Sequence, residues 1–368
     1  MFKTNNLSRA LVQQRREEKR VEKTLAFLNK IKKKPITAFA IFAVILMVLQ
    51  ALSDVGVVPS SFVTAIGTTV IFCIVGLGFC LLLGYSALAS LGTAGFIAIG
   101  AYCAYYCLVV WKLPIIAAVL AAILVALVIG VIVGYISLRI EGIYLAIVTL
   151  GVAQIIKEVL SAICDTIKIK GSNLLLFGQE NLRLKEDYVF YILIAVLFIL
   201  MVITQNLMNS PKGRAMLAMK NSTSAAQAFG ISLLKYRLLA FIISIVYASI
   251  AGLLYMFYVR YVSNSSSTLF SLSTSLNILG AVIIGGTKSI WGTIGGTFII
   301  YGIDQMFLQD IEFFRNNPTL ITLFCGILVI LVVMFYPGGL VQLALEIKLK
   351  IKKLLLKRRE KKYGKDLG

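Results

Sequence analysis

Few side chains in the apolar parts of this chain are able to do chemistry. Asp304 is the one clear acid within an apolar segment, and the chain contains no histidine. Carriers coupled to protons or sodium ions usually hold carboxylates or histidines at mid-membrane, so this scarcity argues against that class. For Asp304 two interpretations stay open: a functional intramembrane acid, or a residue about one helical turn from the outer interface.

No catalytic, nucleotide or metal motif is present. The phosphate-binding pattern G-x-x-x-x-G-K-[ST] does not occur, and residues 286–289, GTKS, have part of its composition without its spacing. Six cysteines occur without a C-x-x-C pair, and five lie inside apolar segments, so we interpret them as small buried side chains. We therefore expect no catalytic residue, no metal and no cofactor. Any ATP-driven step has to be supplied by a separate subunit.

Residues 84–92, GYSALASLG, could bind a ligand through their backbone. They separate two apolar segments without a single charged residue. A helix that begins after them offers free N–H groups, which can hold a carboxylate without a buried cation. The alternative is a packing site, because small residues let membrane helices approach closely. The candidates for a substrate pathway are Gly84, Tyr85, Ser90, Leu91, Gly92 and Asp304.

A second break of the same kind covers residues 285–292, GGTKSIWG. Irregular backbone at membrane depth is tolerated only where it is buried in protein or lines a wet cavity. The two breaks lie six apolar segments apart, and we find no internal repeat that aligns them.

Residues 209–237 form a basic polar stretch with five Lys/Arg and no acid. Pro211 suits the first turn of a helix, and Gly230 can end one in a left-handed conformation. We predict a short helix, a turn, a second short helix and a glycine corner. The stretch is either a solvated loop or a surface on which another protein docks. The candidate docking residues are Pro211, Gly213, Arg214, Ala225, Ala226 and Gly230.

The elements that must position these residues are membrane helices. The chain has 368 residues, 59% of them hydrophobic, which a water-soluble domain cannot bury. We predict an all-α polytopic membrane protein with about ten spans, each near the roughly 20 residues that cross a bilayer. The predicted spans are 36–53, 62–83, 93–111, 113–137, 142–162, 188–206, 237–258, 272–287, 290–308 and 318–336.

Charge asymmetry gives the orientation. With the N-terminus in the cytoplasm, 28 of the 36 Lys/Arg fall on the cytoplasmic side and 8 on the other. The positive-inside rule then predicts cytoplasmic termini and a cytoplasmic 209–237 stretch. The basic charge flanks apolar segments, so lipid rather than nucleic acid is its expected partner.

We divide the chain into three parts. Residues 1–34 are a basic segment that is either an amphipathic helix on the inner leaflet or a disordered tail, and residues 341–368 form a second basic cytoplasmic tail. Between them, residues 35–340 form one transmembrane domain, which contains the docking loop 208–236.

Several motifs resemble those of one family, the permeases of branched-chain amino acid ABC importers. Residues 84–96, GYSALASLGTAGF, are similar to its G-Y-x-G-x-x-S-L-G-H-A-x-F, with Ala87 for a glycine and Thr93 for the histidine. Residues 139–150, RIEGIYLAIVTL, resemble R-x-x-G-I-Y-F-A-I-V-T-L. Three further segments follow in the family's order: residues 171–173, residues 278–296 with Lys288 for a glycine, and residues 334–340. Residues 210–231 resemble its ATPase-docking loop, with Ser224 in place of an acid.

The resemblance implies the M-type subunit of an importer in the inner membrane. Such a subunit pairs with a second permease, two ABC ATPase subunits and an extracytoplasmic substrate-binding protein. Urea, short amides or nucleosides are alternative substrates within the family. The alternative from another class is an ion-coupled secondary carrier or a channel.

Overall fold

The structure is a computed structural model, and it describes residues 35–138, 143–164, 166–169, 186–263, 268–308, 318–336, 338–343 and 346. The expectations for residues 1–34, 139–142 and 171–173, and for nearly all of the tail, fall outside these residues.

Helices account for almost all of the described chain, as the hydropathy pattern predicts. They are α1 Pro35–Asp54, α2 Ser60–Ser86, α3 Thr93–Tyr105, α4 Ile115–Ser137, α5 Ile143–Ile163, α6 Glu186–Asn209, α7 Pro211–Asn221, α8 Thr223–Ala228, α9 Leu233–Val259, α10 Leu272–Gly285, α11 Ile290–Thr297 and α12 Pro318–Phe335.

Among the described residues, seven helices are long and apolar enough to cross a membrane: α1 to α6 and α9, with α3 counted through Val110. The nearly all-α, multi-pass fold is therefore confirmed. The span predicted at 290–308 differs, because α11 has only 8 residues and π-helical segments follow at Phe298–Gly302 and Asp304–Leu308. Apolar composition predicts a buried helix without distinguishing α-helical from π-helical hydrogen bonding.

Helix α9 begins four residues before the predicted position, at Leu233. Lys235 and Arg237, which the charge count assigned to the loop, therefore lie in its first turns. Long basic side chains are compatible with a helix end because their heads can reach the interface while their stems cover apolar surface.

Two three-residue strands were not predicted. Thr166–Lys168 follows α5, and Tyr261–Ser263 follows α9; they pair antiparallel with Ile167 opposite Val262. β-Branched and aromatic residues favour such pairing. The strands are too short for the alternating pattern that identifies a strand in sequence. They join the ends of α5 and α9 that lie away from the 209–237 stretch.

Helix α2 lies at the centre of the molecule. Its side chains are buried along nearly the whole helix, and it packs against α9, α6, α10 and α11. Helices α3 and α9 approach until their backbones touch: a Cβ on Gly100 would lie 1.8 Å from the Ser249 carbonyl oxygen. Helices α4 and α5 are mostly exposed and apolar, as expected of surfaces that face lipid.

Candidate functional site

The 209–237 stretch folds as its residues predict. Helix α7 begins at Pro211, and the Gly213 amide donates to the Ser210 side-chain oxygen at 3.2 Å. A Cβ on Gly213 would lie 2.3 Å from the Leu207 carbonyl oxygen, so only glycine allows this tight turn from α6 into α7. Helix α8 follows after a single residue.

Gly230 forms the predicted corner. Its φ is 77°, in the left-handed region that favours glycine. The Gly230 amide donates to the Gln227 carbonyl at 2.9 Å, and the Ile231 amide donates to the Ala226 carbonyl at 3.0 Å. These two bonds form a Schellman motif, which ends α8 and redirects the chain toward α9.

The six candidate docking residues do not all face outward. Gly213 and Ala226 are buried in this chain's own packing, Ala226 at 2% exposure, so their small size serves that packing. The other four are exposed, and with Phe229 we define them as the candidate docking surface: Pro211, Arg214, Ala225, Phe229 and Gly230.

Phe229 is a member that the sequence did not suggest. Its side chain is 86% exposed at the end of α8, although it is a large aromatic outside the spans. Exposed aromatic side chains of this kind are typical anchors of protein interfaces. The one signal in the sequence is an aromatic residue directly before the corner glycine.

The first helix break begins with an irregular end of α2. Ala87 has φ 54°, and its amide donates to the Leu82 carbonyl. The Leu88 amide also donates to the Leu82 carbonyl, at 3.2 Å. In a continuing helix these two amides would bond the carbonyls of Leu83 and Gly84. Those carbonyls are therefore available to another donor.

Lys220, on α7, supplies that donor. Its ammonium donates to the Leu83 carbonyl at 3.0 Å and to the Gly84 carbonyl at 2.9 Å. Burial, and then the nearby charge of Lys288, lower the pKa of Lys220 below its usual value. A cation at a helix C-terminus also interacts favourably with the helix dipole.

The two helix breaks touch each other. A Cβ on Gly84 would lie 1.8 Å from the Thr287 carbonyl oxygen, so the end of α2 rests directly on the backbone of the second break. The Cys80 thiol donates to the same carbonyl at 3.3 Å. A Cβ on Gly339 would lie 2.5 Å from the Gly286 nitrogen, so the turn after α12 joins this contact.

The start of α3 is buried, and three amides at or just before it have hydroxyl partners. The Leu91 amide donates to the Thr149 hydroxyl at 3.1 Å, and the Gly92 amide donates to the Ser90 hydroxyl at 3.2 Å. The Ala94 amide donates to the Ser275 hydroxyl at 3.1 Å. Ser90 and Gly92 are buried, and Tyr85 and Leu91 are half-buried. To bind these amides, a substrate carboxylate would have to displace the hydroxyl groups that accept their hydrogen bonds.

Asp304 lies apart from the other pathway candidates. It is half-buried at the start of a π-helical segment, and the neighbouring Gln305 accepts a hydrogen bond from Thr68. Thr68 and Gly84 are 16 residues apart on α2, which is about 24 Å along a helix. The structure thus brings Gly84 to Gly92 together and places Asp304 toward the other end of the span.

A cavity of about 380 Å³ lies elsewhere, between α3, α4 and α5. Only apolar and aromatic side chains and cysteines line it, among them Tyr106, Trp111 and Ile156. Such a cavity does not suit a zwitterionic ligand, because charged groups entering it would lose hydration without gaining partners. Across the described residues, no group of three or more His, Cys, Asp or Glu could hold a metal ion.

Comparison with known proteins agrees with this architecture. The family described as "Branched-chain amino acid transport system / permease component" matches residues 61–333. The high-affinity branched-chain amino acid transport system permease protein LivM of Escherichia coli (strain K12) is 30% identical over 305 residues, 74% of this chain and 68% of that protein. LivM of Salmonella typhimurium is 30% identical over 306 residues, with the same shares covered.

A third relative matches a shorter part. The autoinducer 2 import system permease protein LsrC of Enterobacter sp. (strain 638) is 29% identical over 114 residues, 30% of this chain and 33% of its own. No solved structure matches the chain.

Proposed function

This chain belongs to the family of permease components of branched-chain amino acid transport systems, and we propose that it is the M-type membrane subunit of an ATP-driven importer. Its cargo in this proposal is a branched-chain or related amino acid, as the names of the LivM relatives suggest. ATP hydrolysis resides in partner subunits, because the sequence carries no phosphate-binding loop.

The observation that carries the proposal is the candidate docking surface. It lies on two short helices, of which α7 packs against α2, α6 and α9. It bears an almost fully exposed Phe229 and belongs to a loop with five Lys/Arg and no acid. A solvated loop has no need of an exposed aromatic, whereas a partner groove with apolar and acidic lining would bury it. We assign this surface to the ATPase and place it, with both termini, on the cytoplasmic side.

The complete importer in this proposal holds four further components. A second permease completes the membrane pathway, two ATPase subunits bind the docking surfaces, and an extracytoplasmic binding protein delivers the substrate. Closure of the ATPases moves the docking surfaces, and the helices around the pathway shift between outward-open and inward-open arrangements. Urea, short amides or nucleosides are the alternative cargoes within the family.

An ion-coupled carrier or channel is the alternative from another class. Asp304 lies far from the helix breaks that are candidates for the pathway. A proton or sodium relay needs several ionisable groups along one route. This separation supports the ATP-driven proposal.

Co-purification tests the docking assignment. Phe229→Ala should reduce ATPase retention at least tenfold, because it removes an interface anchor. Membrane insertion and yield should remain unchanged. Val55→Ala is the matched control: Val55 is 79% exposed, and it lies in the α1–α2 connection at the opposite end of α2. Gly230→Val should also release the ATPase, because valine is strained at the positive φ of the corner.

Two results would refute the assignment. One is full ATPase retention by both Phe229→Ala and Gly230→Val at normal yield. The other is an equal loss of ATPase in Val55→Ala, which would show that general destabilisation, and not the docking surface, governs retention.

A further inference from the structure

Lys220 lies where the docking loop meets the two helix breaks. It is the last basic residue of α7, and its ammonium bonds two carbonyls at the end of α2 at 3.0 and 2.9 Å. These hydrogen bonds join residues 136 and 137 positions apart in sequence. We define the three residues Lys220, Leu83 and Gly84 as the lysine clamp.

The acceptors of the clamp are specific to this irregular helix end. The amides of Ala87 and Leu88 both turn to the Leu82 carbonyl, which leaves Leu83 and Gly84 without their usual helical donors. Buried carbonyls require a donor, and a charged donor forms the stronger hydrogen bond. A side chain from α7 therefore completes the C-terminal end of α2.

Movement of the clamp would reach the second break directly. The Gly84 backbone rests on the Thr287 carbonyl with no room for a Cβ, and the Cys80 thiol bonds the same carbonyl. Helix α11 begins three residues after Thr287, and the Gly292 amide donates to the Ser289 hydroxyl at 3.2 Å. Backbone contacts of this kind transmit displacement because they cannot be compressed.

We propose that Lys220 is the positioning residue that couples the docking surface to both helix breaks, so that movement of α7 shifts the end of α2 and the start of α11 together. This inference rests on the proposed function, in which the ATPases move the docking surface. Lys220 itself contacts neither substrate nor nucleotide in this scheme. Its role is to carry force between α7 and the pathway helices.

The test compares assembly with coupling in the complete transporter. Lys220→Met should leave ATPase co-purification and basal ATP hydrolysis within twofold of the unaltered complex. Stimulation of hydrolysis by the substrate-loaded binding protein, and substrate uptake, should each fall at least tenfold. Lys220→Arg keeps the cation and its N–H donors, and should restore at least half of both. Lys212→Met, on the exposed face of the same helix, is the charge-matched control: any loss should be in ATPase retention, while stimulation and uptake per assembled complex should match the unaltered protein.

Each outcome either supports or overturns a stated proposal. Normal stimulation and uptake in Lys220→Met would overturn the coupling role. If Lys220→Met does not accumulate, Lys220→Gln is held to the same criterion. If no assembled complex forms without a cation at this position, the clamp is needed for folding, and the proposal is overturned. Failure of the unaltered chain to retain any ATPase would instead refute the proposed function.

Discussion

Ala87 occupies a backbone conformation that disfavours a side chain. Its φ of 54° lies in the left-handed region, where a Cβ approaches the following carbonyl at a cost of about 1–2 kcal/mol. The resembling family motif has glycine at this position. The first break therefore carries local backbone strain at Ala87. The end of α2 keeps the geometry that leaves two carbonyls for Lys220.

Relief of this strain is measurable. Ala87→Gly should raise the stability of the protein by about 1 kcal/mol, since glycine adopts a positive φ without penalty. Thermal unfolding in detergent measures the change. Ala51→Gly, at an exposed helical position of α1, should instead lower stability by about 0.5–1 kcal/mol. Destabilisation by both substitutions would contradict the assigned strain.

The start of α3 contains the candidate residues for substrate contact. In a background without the native cysteines, Ser90→Cys should react with a small hydrophilic thiol reagent, and substrate loading should change the rate. Gly92→Leu should block uptake without preventing assembly, because leucine would fill the space at the helix start. Its Cβ would lie 3.0 Å from the Thr149 carbonyl oxygen. An inert Ser90→Cys in every state, together with normal uptake by Gly92→Leu, would make the break a packing site.

At the scale of elements, the α10–α11 pair depends on backbone contact. A Cβ on Gly296 would lie 2.0 Å from the Ala281 carbonyl oxygen, whereas one on the adjacent Gly295 would meet nothing within 4 Å. These neighbouring positions have the same residue type in the same helix. They therefore separate the effect of close packing from that of helix propensity.

Alanine at these two positions should change the stability by different amounts. Gly296→Ala should destabilise the protein by about 2–3 kcal/mol, because the overpacked helices must separate. Gly295→Ala should be neutral or stabilise by up to about 1 kcal/mol, because alanine is the better helix former. Chemical or thermal unfolding of both variants provides the comparison. Equal effects would contradict the packing shown for α11.

Elements governed by local chemistry could be predicted from sequence. The proline start of α7, the glycine corner at Gly230 and the positions of both helix breaks depend on neighbouring residues alone, and all are found in the structure. The contact between Gly84 and Thr287 could not be predicted, because neither periodicity nor composition indicates which distant segment packs on a break. Lys220 and Phe229 were missed for the same reason: their contact and exposure depend on the assembled fold.

In the described bundle, the functional candidates other than Asp304 lie at one end. The docking surface, the lysine clamp, both helix breaks and the turn at Gly339 are joined by direct contacts, while Asp304 lies toward the other end of α2. A transporter driven by ATPases on one side of the membrane needs such direct contacts between its docking surface and its pathway helices. An ion-coupled carrier would need ionisable groups along the whole crossing.

The energy source of uptake tests the ATP-driven proposal most directly. The purified complex of two permeases and two ATPases is reconstituted into proteoliposomes, and its binding protein is added. Uptake of radiolabelled leucine is then measured under two conditions: ATP without an ion gradient, and a proton or sodium gradient without ATP. We expect uptake with ATP alone and none with either gradient alone. Leucine uptake that follows a gradient in the absence of ATP would contradict it.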